Sequence, residues 1–138
     1  MPKFATPQWL EAYMDAINSD ADIAEAAKGW EWDIALVVEA EPEKGIPVDL
    51  WGLFVIRNGR CEDARVVTAD EGDRATFVIR APYTRWKEVI LGKLDPIKGM
   101  LQGKLKVAGD LPTLAREVKA ADALVKIARA VTTEFPDS

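Results

Sequence analysis

Residues 92–111 read GKLDPIKGMLQGKLKVAGDL. Asp95-Pro96 joins a carboxylate cap to a proline at the first helical position, where the missing N–H removes no hydrogen bond. The helix it starts is short, because Gly103 supplies a stop a few residues later. Residues 104–108 then alternate polar and apolar, which suits an edge or half-exposed strand. Gly92 and Gly103 therefore punctuate a helix–strand unit. A phosphate loop does not fit: Gly103-Lys104 precedes a strand, Leu105 stands where Ser or Thr would hold magnesium, and Gly-x-Gly-x-x-Gly is absent.

Upstream, Thr84 reads as the cap of a helix with Trp86, Val89 and Ile90 on one face, and residues 74–80 read as a strand through Phe77, Val78 and Ile79. Residues 32–40, 48–57 and 60–68 are β-rich, and Asn58-Gly59 signals a type I′ hairpin, so a meander is the simplest arrangement. The segment 41–47 and the acidic segment 70–73 read as solvated turns. At the start of the chain, Thr6-Pro7 opens a helix with Trp9, Leu10, Tyr13, Met14 and Ile17 at helical spacing. Ser19 with Asp22 resembles a capping box for a short second helix that stops at Gly29.

Downstream, residues 112–131 carry Leu114, Val118, Ala121, Leu124, Val125, Ile127, Ala128 and Val131 over half of a helical circumference, opposite Arg116, Lys119, Asp122, Lys126 and Arg129. Packing onto a sheet consumes a stripe a little over ~100° wide. The surplus has to cover another helix, another subunit or a nonpolar ligand, unless a break at Asp122, itself a good N-cap, turns one wide face into two ordinary ones.

The whole chain of 138 residues, 49% hydrophobic and 30% charged, fits one folded domain, residues 1–138. No apolar run approaches the ~20 residues of a membrane span, and neither a secretory core nor a Ser-Lys-Leu address is present, so the expected location is cytoplasmic. The single Cys61 forms no internal disulfide. Zero histidines removes His-dependent triads and the usual zinc and iron sites. Glu39 with Asp49, and Tyr13 or Tyr83 with a buried acid, are the conceivable catalytic groups, yet every acid fits a solvated position, so no catalytic residue, metal or cofactor is assigned. The net charge of −5 argues against nucleic acid. It is uneven: residues 80–119 hold 9 Lys and Arg against 4 Asp and Glu, a basic segment on an acidic body. Such a segment is a solvated face or a patch for anionic headgroups and phosphates.

The segment 92–111 resembles the signature of the sterol carrier protein type-2 family through Gly92-Lys93-Leu94, Asp95-Pro96, Gly103-Lys104-Leu105-Lys106-Val107 and Gly109-Asp110. Gly99-Met100-Leu101 departs from the family's frequent Ala-Phe-Met, and the missing peroxisomal tripeptide points to a prokaryotic, stand-alone member. The resemblance implies an α+β fold, with a five-stranded, largely antiparallel sheet covered by helices and an apolar tunnel between the layers. It also implies non-catalytic binding and transfer of a hydrophobic ligand: a fatty acid, fatty acyl-CoA, phospholipid or sterol-like lipid. Phe77, Trp86, Ile90, Leu94, Ile97, Met100, Leu101, Leu105, Leu114, Leu124, Ile127 and Val131 are then the expected ligand-binding residues, with Lys93, Lys98, Lys104 and Lys106 for headgroup or phosphate. Expected partners are the lipid and, transiently, an anionic membrane surface. The alternative is an interaction or dimerisation module that assists an enzyme, with a homodimer using the terminal helix.

Overall fold

The computed structural model describes the chain apart from Met1, Pro2, Ala5, Asp110, Thr132 and Ser138 and the side chains of Ala115, Val118, Lys119 and Ala121. The roles expected of Val118, Lys119 and Ala121 on the terminal helix, and of Asp110 in the signature segment, lie outside the described residues. Helices α1 (Pro7–Asn18) and α2 (Ala21–Ala26) lead into strands β1 (Glu31–Glu39), β2 (Leu50–Arg57) and β3 (Arg60–Val66). Helix α3 (Ala69–Gly72), strand β4 (Phe77–Pro82), helices α4 (Tyr83–Ile90) and α5 (Pro96–Leu101), strand β5 (Lys106–Ala108) and helices α6 (Leu111–Arg116) and α7 (Val118–Ala130) follow.

Local chemistry sets most of these boundaries. The Trp9 N–H donates to Thr6 Oγ1 at 3.3 Å, and the Ile97 N–H to Asp95 Oδ1 at 2.9 Å. Asn58 and Gly59 take φ of 53° and 80°, the two positive values a type I′ turn needs. A Cβ on Gly59 would lie 2.6 Å from the Ala24 carbonyl oxygen, so the hairpin tip can meet α2 only as glycine.

Several boundaries differ from the sequence reading, each for a traceable reason. The Asp20 carboxylate caps α2 by accepting from the Ile23 N–H at 3.0 Å, while the Ser19 hydroxyl turns back to the Asp15 carbonyl and finishes α1. Thr84 caps nothing, because its N–H and hydroxyl both go to the Glu41 carboxylate at 2.7 and 2.9 Å, and α4 begins at Tyr83. Most of the acidic segment 70–73 lies in α3 (Ala69–Gly72), capped by Thr68. The terminal region breaks at Glu117, and Asp122 sits inside α7, paired with Lys126 at 2.9 Å. Strand β5 starts only at Lys106, since the N–H groups of Lys104 and Leu105 are taken by the Gly99 carbonyl at 2.8 and 3.1 Å.

The strand order is β3-β2-β1-β4-β5. Three pairings are antiparallel, and β4 runs parallel to β1. Strands β1, β2 and β3 form the expected meander, and β4 leaves it: β3 and β4 run the same way, which requires a crossover rather than a hairpin. Helix α3 lies on that crossover and sets Gly72 against the Trp51 ring, where a Cβ would come within 2.3 Å.

Strand alternation sends Ile34, Leu36 and Val38 to one face and Ala35 and Val37 to the other. Helices α1, α4 and α7 cover the first face, and α7 touches α1, α2, α4, α5 and α6. It is fastened by Tyr13, whose hydroxyl donates to the Leu124 carbonyl at 2.8 Å, and by Arg129, whose Nε donates to the Val89 carbonyl at 3.0 Å. The second face carries ion pairs instead: Arg57 with Asp33 at 3.1 Å, Arg80 with Glu39 at 3.3 Å, and Arg65 with Asp63 and Glu71.

Candidate functional site

The helix-covered face is incompletely packed, and the gap follows one cross-strand row. Register places Val66 opposite Gly52, Gly52 opposite Leu36, Leu36 opposite Ile79 and Ile79 opposite Val107, so the row crosses all five strands. Val66 is exposed and the other four are only half-buried, although helices lie above the sheet. The neighbouring row Phe54, Ile34 and Phe77 is buried, at 4%, 9% and 1% exposure. Gly52 contributes no side chain, and Leu36 on the central strand packs against the core but is only partly buried.

Above Val66, Gly52, Leu36 and Ile79 lies an apolar cavity of about 150 Å³. Its helical walls are Trp9, Leu10 and Tyr13 of α1, Trp86, Val89 and Ile90 of α4, and Leu124, Val125 and Ala128 of α7. No charged side chain lines it among the described residues. The polar tips in its walls are mostly taken by protein. Tyr13 bonds Leu124, the Trp86 indole N–H donates to the Val37 carbonyl at 2.9 Å, and that of Trp9 to Thr133 Oγ1 at 2.8 Å. The Trp30 indole N–H is buried without a partner. Burial pushes the Tyr13 phenol far above its ordinary range, so it stays neutral. The arrangement offers apolar contact and almost nothing else.

Of the residues expected from sequence, Trp86, Ile90, Met100, Leu105, Leu114 and Leu124 line the cavity. Phe77, Leu94 and Ile127 are buried outside its wall, and Ile97 and Val131 are half-buried outside it. Leu101 is 83% exposed, because the short α5 turns it away from the layer that holds Pro96 and Gly99. Helix α1 and the row through Leu36 are the part that sequence reasoning left out. The apolar spacing of Trp9, Leu10 and Tyr13 was visible, but it reads as ordinary core.

The expected lysines divide. Lys104 and Lys106 meet Arg80 and Arg85 in a surface cleft of about 270 Å³, whereas Lys93 and Lys98 lie outside it, exposed. Glu39 and Asp49, considered as paired acids, both approach Arg80, at 3.3 and 3.9 Å, and form an ion-pair cluster. Tyr83 donates to the exposed Asp137 at 2.6 Å, outside the cavity. That bond and Lys87 hold the Asp137 carboxyl below its usual range, the lysine contributing most.

No curated protein matches the sequence. Among solved structures, a crystal structure of sterol carrier protein 2 is 33% identical with a TM-score of 0.87, over 94% of this chain and 100% of that one. The solution structure of a conserved hypothetical protein from Thermus thermophilus is 32% identical with a TM-score of 0.85, over 97% of this chain and 93% of that one. An apo sterol carrier protein 2 from Yarrowia lipolytica, at 16% identity and a TM-score of 0.57 over 87% of this chain and 88% of that one, shares the fold. The SCP-2 sterol transfer family profile matches residues 11–122, and on that extent the chain belongs to this family.

Proposed function

We propose that this protein binds and carries a lipid by its acyl chain, holding the chain in the apolar cavity and catalysing no reaction on it. Family membership supports a hydrophobic ligand in general terms. The observation that carries the finer reading is the incompletely buried row Val66, Gly52, Leu36 and Ile79 beneath a helical layer. That row crosses four strands, about 14 Å at the usual strand spacing, which gives the gap the elongated outline of a chain.

At about 150 Å³ the cavity matches a benzene-sized guest. A long chain therefore requires the helical layer to lift or the chain to run out past the half-buried Met100, Leu124 and Val125, extending the cavity into a tunnel. Leu124, Val125 and Ala128 are spent on the cavity wall, which favours the carrier over a module that dimerises through α7.

The test is titration of the protein with saturated fatty acids of increasing length, followed by calorimetry and by tryptophan emission, Trp9 and Trp86 being in the wall. Saturation near one ligand per chain, with affinity rising by roughly 0.8 kcal/mol per buried methylene until the slot is full, is the expected result. No response to fatty acids, acyl-CoA or phospholipids would overturn the proposal.

A further inference from the structure

Trp30 immediately precedes β1 and shares the parity of Ile34, Leu36 and Val38, and all four line the cavity. It is 5% exposed, and its indole N–H is buried with no hydrogen-bond partner. Trp9 and Trp86, the wall tryptophans on helices, have theirs taken by Thr133 and by the Val37 carbonyl. Leaving a buried donor unpaired carries the full cost of stripping it of water. The acceptor missing at Trp30 is one that the described chain does not supply.

The donor is held in place. Trp30 stacks on Trp32 with ring centres 4.2 Å apart, and Trp32 meets the Phe77 ring edge-on at 4.9 Å. The Trp30 backbone N–H donates to the Ala27 carbonyl at 3.0 Å, and its carbonyl accepts from the Asn58 N–H at the hairpin tip. Turning the indole toward another acceptor would break the stack. No charged side chain lines the cavity among the described residues, so a carboxylate there would lose its water for a single neutral donor, and an uncharged oxygen is the better match. A hydroxyl brings a proton that needs an acceptor of its own, whereas a carbonyl only accepts.

We propose that Trp30 is a specificity-determining residue whose indole N–H donates to an uncharged carbonyl oxygen part-way along the bound lipid chain. The inference rests on the carrier reading and deepens it, since it makes the preferred ligand an oxygenated chain. A ketone within one chain and an ester joining two chains share this chemistry.

The test follows tryptophan emission during titration with stearic acid, with its keto isomers carrying the carbonyl at successive chain positions, and with the ester octyl decanoate. Trp30→Phe removes the N–H and keeps an aromatic ring. It should weaken one keto isomer, or the ester, roughly three- to tenfold more than it weakens stearic acid, as the loss of one net hydrogen bond implies. Selective loss with a keto isomer assigns a keto chain, and selective loss with the ester alone assigns an ester. Trp9→Phe removes an N–H already bonded to Thr133 and should weaken all probes to within about twofold of one another, because no probe loses a bond of its own. In the unchanged protein, the Trp30 indole proton should move downfield in nuclear magnetic resonance spectra on binding the selected probe and not on binding stearic acid, a readout independent of how the variant folds. Stearic acid binding with an equal Trp30→Phe loss for every probe, or a carbonyl preference abolished equally by Trp9→Phe, overturns the inference and leaves the carrier standing. Binding of the ester alone, dependent on Trp30, keeps the inference and removes fatty acids as ligands. No binding by any probe sinks both.

Discussion

The two faces of the sheet invert the usual expectation. On the face without long helices, Ala35 and Val37 are at 0% exposure, sealed beneath larger neighbours such as Trp51 and Arg80, whose guanidinium lies 5.6 Å from the Trp51 ring centre. On the helix-covered face, Leu36 between them in sequence keeps part of its surface unburied. The difference shows that cover and packing are separate properties. A layer of helices can enclose a sheet and still leave a row unfilled, while small residues can be fully buried by long polar side chains that lie flat.

The largest effect should come from contrasting the packed and unpacked rows. Phe77→Ala, in the buried row, should cost about 3–5 kcal/mol in denaturant unfolding, and Leu36→Ala clearly less, since part of its side chain already lacks contacts. Equal losses would mean that the row through Leu36 is packed like its neighbour. The same contrast runs along α7. Ile127→Ser should cost roughly 2–5 kcal/mol with ligand affinity retained, and Leu124→Ser nearer ~1 kcal/mol with affinity reduced. A reversed pattern would move the binding surface to the other side of the helix.

A smaller effect, of opposite sign, is expected at Gly52. A Cβ there meets Leu10 at 3.5 Å, an ordinary contact, and the backbone is not left-handed. Gly52→Ala should raise stability by about 0.4–1 kcal/mol through the unfolded chain while narrowing the slot and weakening fatty-acid binding. Unchanged affinity would take Gly52 out of the floor.

A last contrast, confined to alkaline pH, concerns Cys61, buried on β3 where Asn18 of α1 brackets it, its amide and the Cys61 N–H and carbonyl exchanging two bonds of 2.8 Å. Burial pushes the thiol up to about 11. A folded value above the unfolded one gives stability that is complete below the ordinary thiol range and is lost as pH rises through it toward about 11. The stability curve of the protein should therefore fall more steeply over that window than the curve of Cys61→Ala. Parallel curves would show that this end of the covered face is open to water.

Much of the fold was legible because its signals are local. Thr6-Pro7, Asn58-Gly59 and Asp95-Pro96 act within a few residues, and each forms the cap or turn that its residue types favour. Ser19 and Thr84 misled because a hydroxyl has several acceptors within reach, and the choice depends on the carbonyl of Asp15 in one case and the distant Glu41 in the other. The site was legible by half. Apolar spacing marks Leu114, Leu124 and Ile127 alike as inward-facing, but whether an inward residue meets another side chain or a gap depends on what stands opposite, and Ile127 meets protein while Leu124 meets the cavity.

By itself the sequence determined the five strands and most of the helices, though not α3 or the division of α6 from α7, together with the signature segment 92–111, the family to which it points, and the basic character of residues 80–119. Only the tertiary structure decided that β4 lies beside β1, that Gly52, Leu36 and Ile79 align in one row, and that Arg80 and Arg85 join Lys104 and Lys106. Caps and turns are settled by the free energy of neighbouring residues, whereas a row or a cleft requires strands distant in sequence to be paired in a fixed register. A shift of one residue in that pairing would exchange Ile79 for Arg80 on the cavity face.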